Sequence, residues 1–108
     1  MRIIFNTTFI VNESIETEWI SFIRKYYLAY LRQNRLTQDI LFTKVSIDQP
    51  EGKTYSLQLV FDSSEALDCF LKIHLPLMEE KISEKYKNYY LCFSSICLLY
   101  TSDAADDL

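Results

Sequence analysis

The chain has 108 residues, of which 49% are apolar and 15% aromatic, and this is enough to bury one core in a single domain. Fifteen acidic and eleven basic residues give a formal net charge of −4. Because a nucleic-acid or anionic-membrane surface needs a clustered basic footprint, this balance argues against both kinds of partner.

The cysteine and histidine pattern predicts no metal site. Cys69, Cys92 and Cys97 form no CxxC pair, and His74, the single histidine, lies at no ligand spacing from any of them. Polar residues interrupt the N-terminal apolar run sooner than in a signal peptide, and no segment approaches the length of a membrane span. We therefore expect reduced thiols, no bound metal and a cytoplasmic location.

The first half of the chain predicts a strand, a helix and a second strand. Residues 3–11 alternate between two sets of β-branched and aromatic side chains, which is typical of a strand. Asn12 and Ser14 are suitable N-cap residues for a helix that should run to about residue 34. Residues 40–48 predict the second strand. The apolar positions of the helix are Ile15, Trp19, Phe22, Ile23, Tyr26 and Tyr30, and those of one face of the strand are Leu41, Val45 and Ile47.

A third strand and a second helix follow a predicted turn at residues 49–52. In residues 53–62 one face of the strand carries Tyr55, Leu57, Leu59 and Phe61. Asp62 could begin the helix in a capping box with Glu65, and Pro76 should kink or split the helix near Leu75. The apolar stripe of this helix is predicted at Leu67, Phe70, Leu71, His74, Met78 and Ile82.

A fourth strand, predicted at residues 89–98, completes the pattern. We expect Leu91 and Phe93 to face the helices, with Tyr90, Cys92, Ser94 and Ile96 on the opposite face. The order strand, helix, strand, strand, helix, strand predicts a ferredoxin-like α+β fold (βαββαβ). In this fold the first and third strands form the centre of a four-stranded antiparallel sheet, and both helices cover one side.

The end of the chain differs from the rest. Residues 97–106 resemble the translation of a transposon-based sequencing adapter, which implies that the reading frame was assembled from environmental DNA. We therefore expect a domain of residues 1–96 followed by a non-native end, residues 97–108, that is disordered from about residue 101. No function is assigned to anything after Ile96.

The placed elements resemble the small bacterial proteins grouped as domain-of-unknown-function family 4286. The matching pieces are Ile4-Phe-Asn6, Glu13-Ser-Ile15 with Glu18-Trp19, Gly52-Lys-Thr-Tyr-Ser-Leu-Gln58, Leu71 with His74-Leu-Pro76, and Tyr86 through Phe93. The resemblance covers nearly everything except the last residues. It implies the ferredoxin-like fold and the dimeric α/β-barrel type, in which two such sheets pack face to face, and it implies no activity.

His74 is the residue that could carry catalysis, since histidine serves as acid, base or ligand near neutral pH. No neighbouring cysteine, aspartate or second histidine completes a triad or metal site, and its place in the apolar stripe favours a packed or helix-capping side chain. Gly52 is the single glycine, so the sequence has no phosphate-cradling loop. We expect no cofactor, no phosphoryl transfer and no dinucleotide binding.

The sheet face opposite the helices is the more informative feature. Its centre is predicted to carry no charge, whereas a solvated antiparallel face usually displays charged side chains. This favours a homodimer interface or a pocket for a small neutral ligand. The predicted residues of this ligand or dimer face are Asn6, Thr8, Ser56, Gln58, Tyr90 and Ser94.

Two alternatives stay open at this point. A small cofactor-free enzyme of the monooxygenase or isomerase type could use a dimeric-barrel pocket, because such sites need few charged residues. RNA binding shares the topology but is less favoured, since Tyr55 lies on the predicted core face. The net charge is also close to neutral once the terminal Asp103, Asp106 and Asp107 are set aside, because twelve acidic and eleven basic residues remain.

Overall fold

A computed structural model describes residues 2–46, 50 and 52–99 of the chain. Its strands are β1 (Arg2–Val11), β2 (Asp39–Lys44), β3 (Lys53–Phe61) and β4 (Tyr90–Leu99). The first helix, α1, joins a 3₁₀ turn (Glu13–Ile15), an α-helical segment (Glu16–Phe22), a π-helical segment (Ile23–Leu28) and a second α-helical segment (Ala29–Gln33). The second helix, α2, joins an α-helical segment (Ser64–Cys69), a π-helical segment (Phe70–His74) and an α-helical segment (Leu75–Tyr86).

The four strands form one antiparallel sheet in the order β2-β3-β1-β4, which confirms the predicted ferredoxin-like arrangement with β1 and β3 in the centre. β1 pairs along its length with both neighbours. Thr7, for example, lies opposite Leu57 of β3 and Ser94 of β4. Since direct partners in antiparallel strands share a face, the register defines two faces of the sheet. We call them the helix side and the open face.

The core fills the space between the helix side and the two helices. From β1 and β3 it receives the alternate residues Ile3, Phe5, Phe9, Val11, Tyr55, Leu57, Leu59 and Phe61, all 9% exposed or less. Trp19 lies at its centre, with ring centroids 5.1 Å from Phe9 and 5.2 Å from Tyr55. The predicted core face of the third strand is therefore confirmed.

Helix α1 differs from its predicted stripe at one position. Tyr26 was expected in the core but is 57% exposed, and Tyr27 is buried instead. The cause is the π-helical segment, whose wider turns hold Tyr27 and Leu31 on the same side as Trp19. A prediction based on regular α-helical spacing does not anticipate that shift.

Helix α2 begins one residue later than predicted. Ser63, not Asp62, is the N-cap, and its hydroxyl accepts a hydrogen bond from the Ala66 amide at 3.1 Å. The Asp62 carboxylate instead lies 3.9 Å from Arg2. Pro76 falls just after the change from π-helical to α-helical geometry at Leu75, so the helix changes type near the predicted position and continues.

The two faces of strand β4 are exchanged relative to the prediction. Tyr90, Cys92 and Ser94 pair with Val11, Phe9 and Thr7, so they lie on the helix side. Leu91 and Phe93 pair with Ile10 and Thr8 and therefore lie on the open face. The prediction placed the larger apolar residues in the core, and a shift of one residue in register reverses every side chain of a strand.

The predicted ends of the second and fourth strands agree less well with the structure. β2 ends at Lys44, and Ile47 and Asp48 of the predicted second strand lie outside the described residues. Cys97, Leu98 and Leu99 of the adapter-like run pair with β1 as part of β4. The remainder of that run, and the predicted disorder from residue 101, lie outside the described residues.

An ion pair and a hydrogen bond hold the start of α1 against the edge of the sheet. The Glu16 carboxylate accepts a hydrogen bond from the Tyr55 hydroxyl at 2.6 Å and lies 2.9 Å from the Lys44 ammonium group. The hydrogen bond from Tyr55, followed by the one from Lys44, lowers the pKa of Glu16 below its ordinary value of 4.5. The charged form of Glu16 thus stabilises the contact between α1, β2 and β3.

Gly52 lies where the chain enters β3 and passes close to the end of β1. Its φ of +148° belongs to a region that side-chain-bearing residues rarely adopt. A Cβ atom at this position would meet the Val11 carbonyl oxygen. The position therefore requires glycine for both conformation and space.

We predict that Gly52→Ala lowers the free energy of unfolding by about 1–3 kcal/mol, because it adds backbone strain and a contact with rigid backbone. Urea unfolding measures the change, and Gln33→Ala at the exposed end of α1 is the control substitution. A Gly52→Ala variant as stable as Gln33→Ala would show that the entry to β3 tolerates a side chain.

We predict that the stabilising contribution of Glu16 depends on pH. Because its folded pKa is lowered, the contribution is fully present above the ordinary value of 4.5 and is lost as the pH falls through the folded pKa. Glu16→Gln should therefore destabilise the protein at pH 7 and cost less at pH values below 4.5. Urea unfolding of both proteins across this range checks the expectation, and a difference that does not change with pH would contradict it.

Candidate functional site

The open face of the sheet consists of rows that cross all four strands. One row contains Leu41, Gln58, Asn6 and Ser95, and the next contains Thr43, Ser56, Thr8 and Phe93. Charged side chains of this face lie towards one end of the sheet, where Asp39 pairs with Val60 and Arg2 pairs with Leu99. The centre of the open face is uncharged.

Short polar side chains occupy the middle of the open face. Asn6 lies opposite Gln58, and Thr8 lies opposite Ser56. The Ser56 hydroxyl donates a hydrogen bond to the Asn6 side-chain oxygen at 3.0 Å, so the two central strands are also linked through their side chains. Neutral hydrogen-bonding groups that are already ordered present donors and acceptors without the desolvation cost of a charge.

Apolar side chains flank this polar centre on both edge strands. On β4, Leu91 is 62% exposed and Phe93 is 61% exposed, and on β2, Leu41 is 56% exposed. Ile4, Ile10 and Val60 lie between them on the central strands. Single exposed apolar residues are normal on a protein surface, but a group of this kind on one face indicates an interaction surface.

The structure brings together four of the six residues predicted for this face. Asn6, Thr8, Ser56 and Gln58 lie on it as neighbours. Tyr90 and Ser94 do not, because the register of β4 places them on the helix side. Sequence reasoning instead missed Leu91 and Phe93, which alternate with the residues assigned to the open face and could have been found only by knowing the register between β1 and β4.

His74 lies between the two helices, away from the open face. Its Nδ1 atom is 2.8 Å from the Tyr30 hydroxyl, and the two ring centroids are 5.6 Å apart. The side chain is half-buried and closes the π-helical segment of α2. In the described part of the chain, no group of three or more His, Cys, Asp or Glu side chains could hold a metal ion.

A small cavity lies on the helix side beneath β4. It has a volume of about 10 Å³, and its polar lining comes from Thr7, Tyr27, Glu79, Tyr90, Cys92 and Ser94. The hydroxyl oxygens of Thr7 and Ser94 are 2.9 Å apart across the β1–β4 pair. The cavity thus collects hydroxyl, thiol and carboxylate groups between the edge strand and the helices.

Glu79 and burial set the electrostatics of this cavity. Burial, followed by the negative charge of Glu79, raises the pKa of Tyr27 and of Cys92 above their ordinary values. Burial also raises the pKa of Tyr90, with Cys92 and Glu79 as further contributors. These three groups therefore stay neutral at physiological pH, and the carboxylate makes the potential in the cavity negative.

The family described as Domain of unknown function (DUF4286) matches residues 2–100 of the chain. This range includes every strand and helix described above and confirms the resemblance seen in the sequence. No curated protein matches the chain significantly. Within the described residues, none of the helices is both long enough and apolar enough to span a membrane.

Several solved structures share the fold at low sequence identity. An ethyl tert-butyl ether d (ethd) family protein from Bacillus halodurans C-125 superimposes with a TM-score of 0.64 at 12% identity, covering 91% of this chain and 99% of its own. A dimeric ferredoxin-like protein from an uncultured marine organism gives a TM-score of 0.61 at 11% identity, covering 93% and 95%. A de novo designed protein gives 0.54 at 9% identity, covering 92% and 98%. At these identities the likeness shows the fold alone.

We predict that His74 is structural. His74→Gln should lower the free energy of unfolding by about 1 kcal/mol, because it removes a packed ring and alters one hydrogen bond. Tyr30→Phe removes the same hydrogen bond from the other side, so the double variant should cost less than the sum of the two single variants. Urea unfolding of the four proteins tests this coupling, and additive costs would show that the pair contributes nothing jointly.

Proposed function

We propose that this chain, which belongs to the family described as Domain of unknown function (DUF4286), forms a homodimer through the open face of its sheet. The observation that carries the proposal is the uncharged, partly apolar centre of that face, with Leu91 and Phe93 more than half exposed on β4. A homodimer would remove these side chains from water on both copies. The molecule is thus proposed to act as a homodimeric interaction module.

The orientation of β4 supports a partner on this face. A strand with one buried face places its larger apolar residues inside. In β4 the middle of the helix side receives the small residues Cys92 and Ser94, followed by Ile96 and Leu98, while Leu91 and Phe93 point away from the helices. Residues 91–98 of β4 are exposed in the single chain, and a second copy on the open face would cover Leu91 and Phe93.

The polar centre supports a second copy as the partner. In a two-fold symmetric interface, residues near the axis meet their own copies or close neighbours. Asn6 and Gln58 carry both donors and acceptors in their amide groups, so each can pair with an identical side chain. A face of Lys or Glu residues could not pair with itself in this way.

The fold neighbours are consistent with this assembly. The ferredoxin-like protein from the uncultured marine organism is described as dimeric. That description belongs to a protein 11% identical to this chain, so it supports the proposal only together with the composition of the open face.

We predict that Gln58→Arg weakens the dimer by about 3 kcal/mol or more, because it brings like charges together and removes them from water. This corresponds to an increase of about a hundredfold or more in the dissociation constant. Analytical ultracentrifugation across a concentration series measures it. Gln33→Arg, at an exposed position in α1, adds the same charge away from the sheet and should leave the dimer unchanged.

Two results would reject the open face as the interface. The first is a wild-type protein that stays monomeric at high concentration. The second is a Gln58→Arg variant that associates as tightly as Gln33→Arg. Because Gln58 is on the surface of a single copy, circular dichroism of the variant separates lost association from lost folding.

A further inference from the structure

The cavity beneath β4 is lined by an almost fully buried tyrosine, Tyr27. Tyr27 is 2% exposed, and the influence of Glu79 and Cys92 on the pKa of its hydroxyl places that group near both of these lining residues. A tyrosine hydroxyl can both donate and accept a hydrogen bond, so it can bind an occupant of the cavity.

The size of the cavity limits that occupant to a small polar group. Its volume of about 10 Å³ is close to the minimum that holds one water molecule. A primary ammonium group has nearly the same size as water. A larger head group, or a planar carboxylate, would require the helix and the strand to separate.

The charge of the lining selects among groups of that size. Glu79 is the charged side chain of the cavity, and it remains solvent-exposed while lining it, which places it at the mouth. No lysine or arginine among the described residues lines this cavity. An anion would therefore meet uncompensated negative charge, whereas a cation would be neutralised by the carboxylate.

The uncharged groups of the cavity also suit a cation. An ammonium group has three donors and needs acceptors. The hydroxyl oxygens of Thr7 and Ser94 share one hydrogen bond and keep lone pairs that can accept further ones, as does the hydroxyl of Tyr27. The aromatic ring of Phe9 also lines the cavity, and aromatic side chains add favourable cation–π attraction.

We infer that this cavity binds the ammonium group of a small primary amine, with Glu79 as the charge partner and Tyr27, Thr7 and Ser94 as hydrogen-bond acceptors. The carbon stem of the amine leaves through the mouth between β4 and α2. Because the cavity lies on the helix side, this site shares no lining residue with the open face.

The raised pKa values of Tyr27 and Cys92 agree with this assignment. The negative charge of Glu79 contributes to both, so both groups lie within its field. The thiol therefore remains protonated at neutral pH and adds no second negative charge. Binding needs no change in the protonation of any of these side chains.

The test is a titration of the full chain with methylammonium chloride at constant ionic strength, followed by two-dimensional amide NMR. We expect saturable shifts at the amides of Cys92 and Ser94. Tetramethylammonium has the same charge but a larger head and no donors, and it should need at least tenfold higher concentration for the same effect. Saturation that is equal for the two cations would overturn the proposal, as would the absence of saturable shifts with methylammonium.

Matched variants assign the binding to these side chains. Glu79→Gln should weaken methylammonium binding at least tenfold, whereas Glu80→Gln, the adjacent exposed glutamate, which does not line the cavity, should leave it unchanged. Tyr27→Phe, which keeps the ring and removes the hydroxyl, should weaken it several-fold. Equal effects of the two glutamate variants would overturn the role of Glu79, because they would show only a general attraction to an acidic surface. A Tyr27→Phe variant that binds methylammonium as tightly as the wild type would show that the Tyr27 hydroxyl is not part of the site.

Discussion

The structure depends on the register in which β1 pairs with its two neighbours. Because opposite residues share a face, the position of Thr7 on the helix side also places Leu57 and Ser94 there, while Asn6 and Gln58 lie on the open face. A shift of one residue between β1 and β4 would bring Phe93 under the helices and expel Ser94. The open face would then lose its apolar flank and the cavity would lose its hydroxyl pair, so both sites follow from one pairing.

The chain fixes that register just before β4 begins. The Tyr89 amide donates to the Tyr86 carbonyl at 2.9 Å, and the Asn12 amide donates to the Tyr89 carbonyl at 2.8 Å. Asn88 between them adopts a φ of 76°, a left-handed conformation that asparagine accepts more readily than most residues. The turn therefore connects the ends of α2 and β1 directly, and β4 enters the sheet with Tyr90 opposite Val11.

Sequence patterns predicted the order of elements and the core faces of β1 and β3, because period-two alternation with β-branched and aromatic residues is unambiguous there. They failed where a second influence outweighed hydropathy. In β4, Leu91 and Phe93 looked like the core face, but the turn at Asn88 sets the register and nothing in the strand itself reveals which face points away from the helices. In α1, a π-helical segment exposed Tyr26 and buried Tyr27, a change that regular spacing cannot anticipate. The cavity was not predicted because it needs Tyr27 from that segment and Cys92 from the reversed strand.

β4 also links the two proposed sites, since adjacent residues of one strand point to opposite faces. Leu91 and Phe93 would contact a second copy, while Cys92 between them lines the cavity. A head group larger than the cavity could enter only if the edge strand moved away from α2, and a partner packed on the open face would oppose that movement. By thermodynamic reciprocity, a dimer that weakens amine binding must itself be weakened by the amine to the same extent. The strength of that coupling depends on how firmly β4 is held by its pairing with β1, because among the described residues no other strand pairs with β4.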